Sequence, residues 1–250
     1  MSQKIIILLL LNFLLVNMAF SKELPALFEV KIPVDQYTNT NDGLNKAFNR
    51  LIQKLSGSRS KKFLWRIGDA QLNKIEFVSS YSTELIGEEE FLSVTFNSEA
   101  LIPELRKIGT PLIGFNRPVI LILFKIDTGE SAPVYLDSSA STDLMSAKIK
   151  QTLTDIALQR GVYLELPEFD LEDQNLLNQA NILFSPSNHI QEKFYNDAFL
   201  DIELVRIGIN QWSINGDLKT ISPLQEKQVI EFFQNSVHKF LDDLLEVKPL

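Results

Sequence analysis

The spacing of apolar positions predicts a first half that runs strand, helix, hairpin, helix. The opening strand alternates apolar and polar positions, and its apolar members are Phe28, Val30, Ile32 and Val34. Pro33 indicates a sheet edge, because proline has no backbone donor. Helical spacing follows from Leu44 to Leu55 and stops at Gly57. Strands at 77–86 and 91–96 then join across residues 87–90, and a short helix runs from about Ser98 to Gly109.

The second half predicts a mixed sheet that contains a βαβ unit. The continuous apolar run at 119–124 is typical of a central strand covered on both faces. Ser141 is predicted to cap a helix that ends at Gly161, before a strand at 162–166. A short helix near 188–195 and strands at 199–207 and 211–221 follow.

A long final helix is predicted from a capping box formed by Ser222, Pro223 and Gln225. Its apolar stripe runs from Val229 to Leu244 at helical spacing. Such a stripe is either part of a core or a surface for a partner. We expect a core, since soluble monomers rarely expose large apolar patches.

Glycines and prolines at 109–118 break any regular element between the halves. We therefore predict an α/β (α+β) fold with two domains, at 22–113 and 119–250, around a junction at 114–118. Gly114, Arg117 and Pro118 are its candidate residues. We expect Arg117 to tie the domains together, because a guanidinium can bond a carboxylate or several helix-end carbonyls at once.

The first 21 residues have the three parts of a secretory signal peptide. Lys4 supplies a positive charge, residues 5–16 are apolar except Asn12, and residues 19–21 are Ala-Phe-Ser. This predicts cleavage before Lys22 and a mature protein in the periplasm. The alternative is a retained membrane anchor, but the apolar run is shorter than the roughly 20 residues that a spanning helix needs.

Charge and composition exclude several classes of site and partner. Cleavage removes one of the 24 basic residues and none of the 32 acidic ones, which leaves a formal charge of -9. Such a surface argues against nucleic acid, whose binders neutralise phosphates with basic side chains. The short basic run at 59–62 is interpreted as a solvated loop. With no cysteine, the chain has no disulfide, lipidated cysteine or thiolate metal site.

No catalytic or cofactor motif is found. The chain lacks a Gly-x-Ser-x-Gly elbow, a phosphate-binding glycine loop and a His-Glu-x-x-His helix. Its two histidines are His189 and His238, and His189 with Glu192 offers only two ligands, too few for a zinc site. We predict no cofactor, no metal and no catalytic residue.

One acidic cluster follows the strand at 162–166, where ligand sites in open sheets often lie. Its members are Glu168, Asp170, Glu172 and Asp173. They have the chemistry of a calcium site or of an acid and base pair, although the calcium-loop pattern with its glycine is absent. A solvated loop with a helix cap from Asp170 or Asp173 is the favoured interpretation.

The chain resembles an uncharacterised proteobacterial envelope family, domain of unknown function 2066. The resemblance rests on LFEVKIPV at 27–34, LSG at 55–57, GFNRP at 114–118 and PEFDLED at 167–173. It implies an envelope location and an α+β fold, but no activity. The second half is also similar in element order to small α/β domains of envelope assembly factors.

These observations favour a non-catalytic periplasmic binding or assembly protein, whose partner is an envelope protein or polymer. One alternative is a carboxylate-dependent hydrolase of an envelope polymer, using the acidic cluster. Another is small-ligand binding at the junction around Gly114 and Arg117. No membrane span is expected after signal cleavage, and the oligomeric state is left open.

Export through the first segment is tested by sequencing the amino terminus of the protein isolated from cells. We expect it to start at Lys22 or within a residue or two of it, because the small residues at 19–21 match the cleavage spacing. An intact Met1 in the membrane fraction contradicts the prediction.

Overall fold

The computed structural model describes Leu24 and residues 26–139, 143–178 and 186–245, without the side chains of residues 61–63. The predicted signal peptide and Ser141 lie outside this part of the chain. The fold is α+β, with two sheets that each pack against helices and have their own core. In the described residues, no helix is long and apolar enough to cross a membrane.

The first sheet has three antiparallel strands in the order β1-β3-β2. Its elements are β1 (Glu29–Pro33), α1 (Thr40–Ser56), α2 (Lys61–Asp69), β2 (Val78–Ile86), β3 (Glu89–Phe96) and α3 (Ser98–Lys107). The predicted strand, helix, hairpin and helix occur in this order, but α2 lies between α1 and the hairpin and was not predicted. Strand β1 lies at an edge, as Pro33 predicted. The basic run at 59–62 is not all loop, because α2 begins at Lys61.

Local signals explain where these elements begin and turn. The Asn39 side chain caps α1 by accepting a hydrogen bond from the Asp42 N–H at 3.0 Å. The hairpin turn is tighter than predicted. Only Gly87 and Glu88 lie between the strands, because Gly87 adopts a φ of 65°.

The second sheet has the order β5-β4-β7-β8-β9, with β6 also beside β4. Its strands are β4 (Val119–Asp127), β5 (Val134–Leu136), β6 (Tyr163–Glu165), β7 (Ala198–Gly208), β8 (Gln211–Gly216) and β9 (Leu224–Gln225). Its helices are α4 (Leu144–Arg160), α5 (Leu171–Asn178), α6 (Pro186–Lys193) and α7 (Glu226–Leu244). Since β4 and β6 are parallel and joined through α4, the predicted βαβ unit is confirmed.

Both predicted caps of the long helices in this half are wrong by a few residues. Asp143 caps α4, accepting from the Ser146 N–H at 2.8 Å. The final helix begins at Glu226 rather than Pro223, because Leu224 and Gln225 are held as β9 against β8. Its capping box uses Gln225 and Gln228 instead.

The strand predicted at 211–221 ends early, at Gly216. This glycine has a φ of 87°, and an added Cβ would lie 2.1 Å from the Asp201 carbonyl oxygen. Any other residue would clash there, so glycine is required where the end of β8 approaches the backbone of β7 closely.

The apolar stripe of α7 belongs to the core of the second half, as predicted. Val229, Phe233, Val237 and Leu241 are fully buried. The Phe233 ring meets Phe124 of β4 edge-on, with the ring centres 5.4 Å apart. The other face of β4 packs Leu121 and Leu123 against Ile190 of α6.

Candidate functional site

The last turn of α1 is bound by donors from distant parts of the chain. Arg117 donates from Nη1 to the Lys54 carbonyl at 3.1 Å, and the Ile113 N–H donates to the Leu55 carbonyl at 2.9 Å. Arg160 donates from Nη2 to the Gly57 carbonyl at 2.5 Å. These carbonyls have no partner inside the helix, so the donors satisfy groups that would otherwise be buried unpaired.

Arg117 lies inside this contact, with 2% of its surface exposed. Burial lowers its pKa to about 10. Lys54 lies beside it and is 4% exposed, and its Nζ donates to the carbonyls of Ala26 at 2.6 Å and Glu29 at 3.2 Å. Burial, and then the charge of Arg117, lower the pKa of Lys54 to about 8.

A second group of charges joins α4 and α7 to the loop before α2. Asp242 pairs with Arg160 at 2.7 Å and with Arg59 at 2.7 Å. His238 is 6% exposed near these groups. Burial, followed by the charges of Arg59 and Arg160, lowers its pKa to about 4, so it is neutral at neutral pH.

The three junction residues have separate surroundings. Arg117 contacts a helix-end carbonyl, one of the two kinds of partner expected, and no ion pair joins it to a described residue. Pro118 accepts from the Tyr163 N–H at 3.1 Å, where β4 and β6 begin to pair. Gly114 is exposed and lines a cleft of about 170 Å³ together with Thr110 and Phe115. Arg117 does not line that cleft.

Within the acidic cluster, Asp170 and Asp173 cap the start of α5 reciprocally. The Asp173 N–H donates to Asp170 Oδ1 at 2.8 Å, and the Asp170 N–H donates to Asp173 Oδ2 at 3.0 Å. This is the arrangement of a capping box, with aspartate in the usual place of glutamate. The helix cap of the favoured interpretation agrees with these contacts, but its solvated loop does not, because Asp173 is fully buried.

Both aspartates are also bound by α6. Lys193 Nζ lies 2.6 Å from Asp170 Oδ2 and 2.8 Å from Asp173 Oδ2, and His189 Nε2 lies 3.0 Å from Asp173 Oδ1. The hydrogen bond from Lys193 lowers the pKa of Asp170 to about 2. Burial acts to raise the pKa of Asp173, but the hydrogen bonds from Lys193 and His189 outweigh it and lower that pKa. These two carboxylates join α5 to α6.

The other two acids of the cluster, Glu168 and Glu172, are exposed, and Glu168 lines a larger cleft of about 870 Å³. This cleft lies beside β6, between α4 and residues 194–195. Its lining comprises Val119, Leu121, Ser138, Lys150, Leu153, Thr154, Leu164, Glu165, Leu166, Glu168, Phe194 and Tyr195. Among the described residues, no three His, Asp or Glu side chains gather in a way that holds a metal ion.

Most residues of these sites were not predicted from the sequence. The burial of Lys54 and Arg160 could have been predicted from helical spacing. Lys54 lies three residues after the buried Leu51, and Arg160 lies four residues after the buried Ile156. Tyr195 had no such signal. It enters the cleft because α6 packs on the sheet, and nothing in its local sequence marks it.

Comparison with known families gives one match. A model for a domain of unknown function, DUF8605, matches residues 22–114. This is a different family from domain of unknown function 2066, so the match does not support that resemblance. It supports only an uncharacterised domain family over the first half. The match ends at Gly114, the first residue of the predicted junction. Searches of curated proteins and of solved structures find no match to this chain.

Replacing Arg117 tests the contact at the end of α1. We expect Arg117→Lys to lower the free energy of unfolding by about 1–3 kcal/mol, because the shorter side chain leaves the buried Lys54 carbonyl without its donor. Denaturant titration measures the loss. Arg106→Lys, at an exposed site, is the matched control and should change stability by no more than about 0.5 kcal/mol. Equal effects of the two variants contradict the prediction.

Acidification tests His238. Its pKa is about 4 in the folded protein and 6.5 in the unfolded chain, so between these values the unfolded chain binds a proton that the folded protein does not. Stability should therefore decline as the pH falls from 6.5 to 4. The decline should be shallower in His238→Gln, measured by denaturant titration at each pH. Parallel pH profiles for the two proteins argue against a depressed pKa.

Proposed function

We propose that the mature chain is a non-catalytic binding protein of the bacterial envelope, and that the larger cleft receives its partner. The observation that carries this proposal is the cleft itself. Its volume of about 870 Å³ lies within the range of roughly 300–1,000 Å³ typical of ligand sites. Its lining is mostly aliphatic and aromatic with a few charged groups, the usual composition of such sites.

The free charge in the cleft is negative. Lys150 is already engaged, since its Nζ donates to the Ser139 carbonyl at 2.5 Å and lies 3.7 Å from Asp137 Oδ1. Glu168 makes no hydrogen bond or ion pair to another described residue, and Tyr195 presents a ring that is 57% exposed. This combination favours a partner segment with apolar side chains and a basic group.

The location rests on the sequence. The signal-like segment at 1–21 supports export, and the periplasm is proposed as the compartment that such an exported protein reaches. The absence of cysteine is compatible with this compartment, because such a chain folds without depending on the redox state of its surroundings.

A hydrolase of an envelope polymer is the second candidate, and one observation favours it. Glu165 and Glu168 line the same cleft. A glycosidase needs two carboxylates about 5 to 9.5 Å apart, one of which acts as a general acid. Asp170 and Asp173, which the acidic cluster also offered, are bound to Lys193 instead, so the pair would have to be Glu165 and Glu168.

Site-specific photo-crosslinking in the producing cells tests the binding proposal. A photoreactive phenylalanine derivative placed at Tyr195 should give one discrete adduct with an envelope component. The same group at Ile209, an exposed site of the β7–β8 turn that does not line the cleft, should give none. Similar adduct patterns at the two positions would count against a specific cleft partner.

Charge reversal then separates the two candidates. Combined with the photoreactive group at Tyr195, Glu168→Lys should lower the yield of the adduct. Glu172→Lys, at an exposed position outside the lining, should leave the yield unchanged.

The purified protein should not release fragments from peptidoglycan. If it does, and Glu168→Gln abolishes the release, the hydrolase is correct and the binding proposal is wrong.

A further inference from the structure

Strand β2 is a long sheet edge that nothing in the described chain covers. It has nine residues and pairs with β3 on one side only. All of these residues are exposed except Val78 and Glu84, which are partly buried. No described side chain hydrogen-bonds to its backbone, and it contains neither lysine nor proline. An edge of this kind is a template for pairing with another strand.

The other edges in the described sheets are protected. Along β1, Arg50 donates from Nη1 to the Lys31 carbonyl at 3.1 Å, and Lys54 donates from Nζ to the Glu29 carbonyl at 3.2 Å. Pro33 removes a donor from the same strand. In the second sheet, β5 and β6 have three residues each and β9 has two. Short strands are a common defence against edge pairing.

Apolar side chains of β2 are also uncovered on the side that faces the helices. Tyr81 pairs with Val94 and Thr83 pairs with Leu92, and both partners lie in the first core. Directly paired residues point to the same face of a sheet. Tyr81 and Leu85 therefore share the face that α1 covers elsewhere, yet they are 55% and 69% exposed.

We propose that β2 pairs antiparallel with β2 of a second copy of this chain, centred on Thr83, and so joins the two first sheets into one. In this register Tyr81 lies opposite Leu85 of the second copy, and this pair occurs twice. Aromatic and aliphatic residues in such positions stabilise a sheet. Tyr81 and Leu85 are then covered by their counterparts, while Ile86 lies opposite Ser80 on the other face.

The charges of the strand fit a second copy. Glu84 lies opposite Ser82 of the other chain, so no like charges meet, and Lys31 already neutralises it at 2.8 Å. Glu88, Glu89 and Glu90 form the acidic end of each hairpin. Because the paired strands run in opposite directions, the two acidic ends lie at opposite ends of the joint sheet and do not repel each other.

Single cysteines test the register, since the chain has none of its own. In Thr83→Cys the two Cα atoms would lie about 4.5–5.5 Å apart across the two-fold axis, within the range for a disulfide. Under mild oxidation of the mature chain we expect rapid conversion to a covalent dimer. Ser79→Cys is the control on the same strand, because its two copies would be separated by roughly 26 Å.

The mass of the unmodified mature chain, measured by light scattering over a concentration series, should approach that of two chains. Leu85→Lys should raise the dissociation constant at least about tenfold, because each dimer then places two lysines against Tyr81. Leu144→Lys, at a site 71% exposed in the second half, should leave it unchanged.

Circular dichroism establishes that each variant is folded. The proposal fails if the chain stays monomeric throughout the series, if Ser79→Cys cross-links as fast as Thr83→Cys, or if Leu85→Lys dimerises like the parent.

Discussion

The end of helix α1 is the constraint on which the arrangement of the two sheets depends. Its last carbonyls are buried where no solvent can satisfy them, and the donors come from Ile113, Arg117 and Arg160. The carboxyl end of a helix carries partial negative charge, so guanidinium groups are suited to it. Loss of a donor would leave a buried carbonyl unpaired. Because this is unfavourable, the contacts hold the second half in a fixed position relative to the first.

Two glycines allow this contact to be close. An added Cβ at Gly57 would lie 2.2 Å from Cδ1 of Ile113, and one at Gly161 would lie 2.7 Å from Cγ of Lys54. Both also adopt positive φ, at 65° and 61°, as they end α1 and α4. The ends of two helices therefore meet at a buried site with several basic groups, where burial first and the charge of Arg117 second lower the pKa of Lys54.

The two proposed surfaces lie in different halves of this joined structure. The cleft belongs to the second half and the free β2 edge to the first. A dimer formed through β2 would carry two clefts on one assembly. Two linked sites bind a repetitive or clustered partner far more tightly than one site does, because the second contact forms at a high effective concentration. An envelope polymer or a membrane-bound array of proteins would suit such a dimer.

Apolar periodicity predicted most elements in their order, the βαβ unit and the buried stripe of α7, because these patterns depend only on which face of an element meets the core. It did not predict α2 or β5. Helix starts were less predictable. The residues at 222–225 have good capping chemistry, but pairing of Leu224 with Trp212 of β8 takes precedence over that local signal. The edge position of β1 was predicted because Pro33 lacks the backbone N–H that a central strand would need.

The sequence by itself determined the fold class, the main helices and strands, and the presence of an arginine at the junction suited to several bonds. The tertiary structure decided which carbonyl Arg117 binds, that Asp170 and Asp173 are bound to Lys193, and that Glu168 shares a cleft with Tyr195. The physical reason is distance along the chain. Hydrogen bonds and ion pairs between such remote positions follow from how helices pack on sheets. That packing produces no periodic pattern in the local sequence from which the contacts could be predicted.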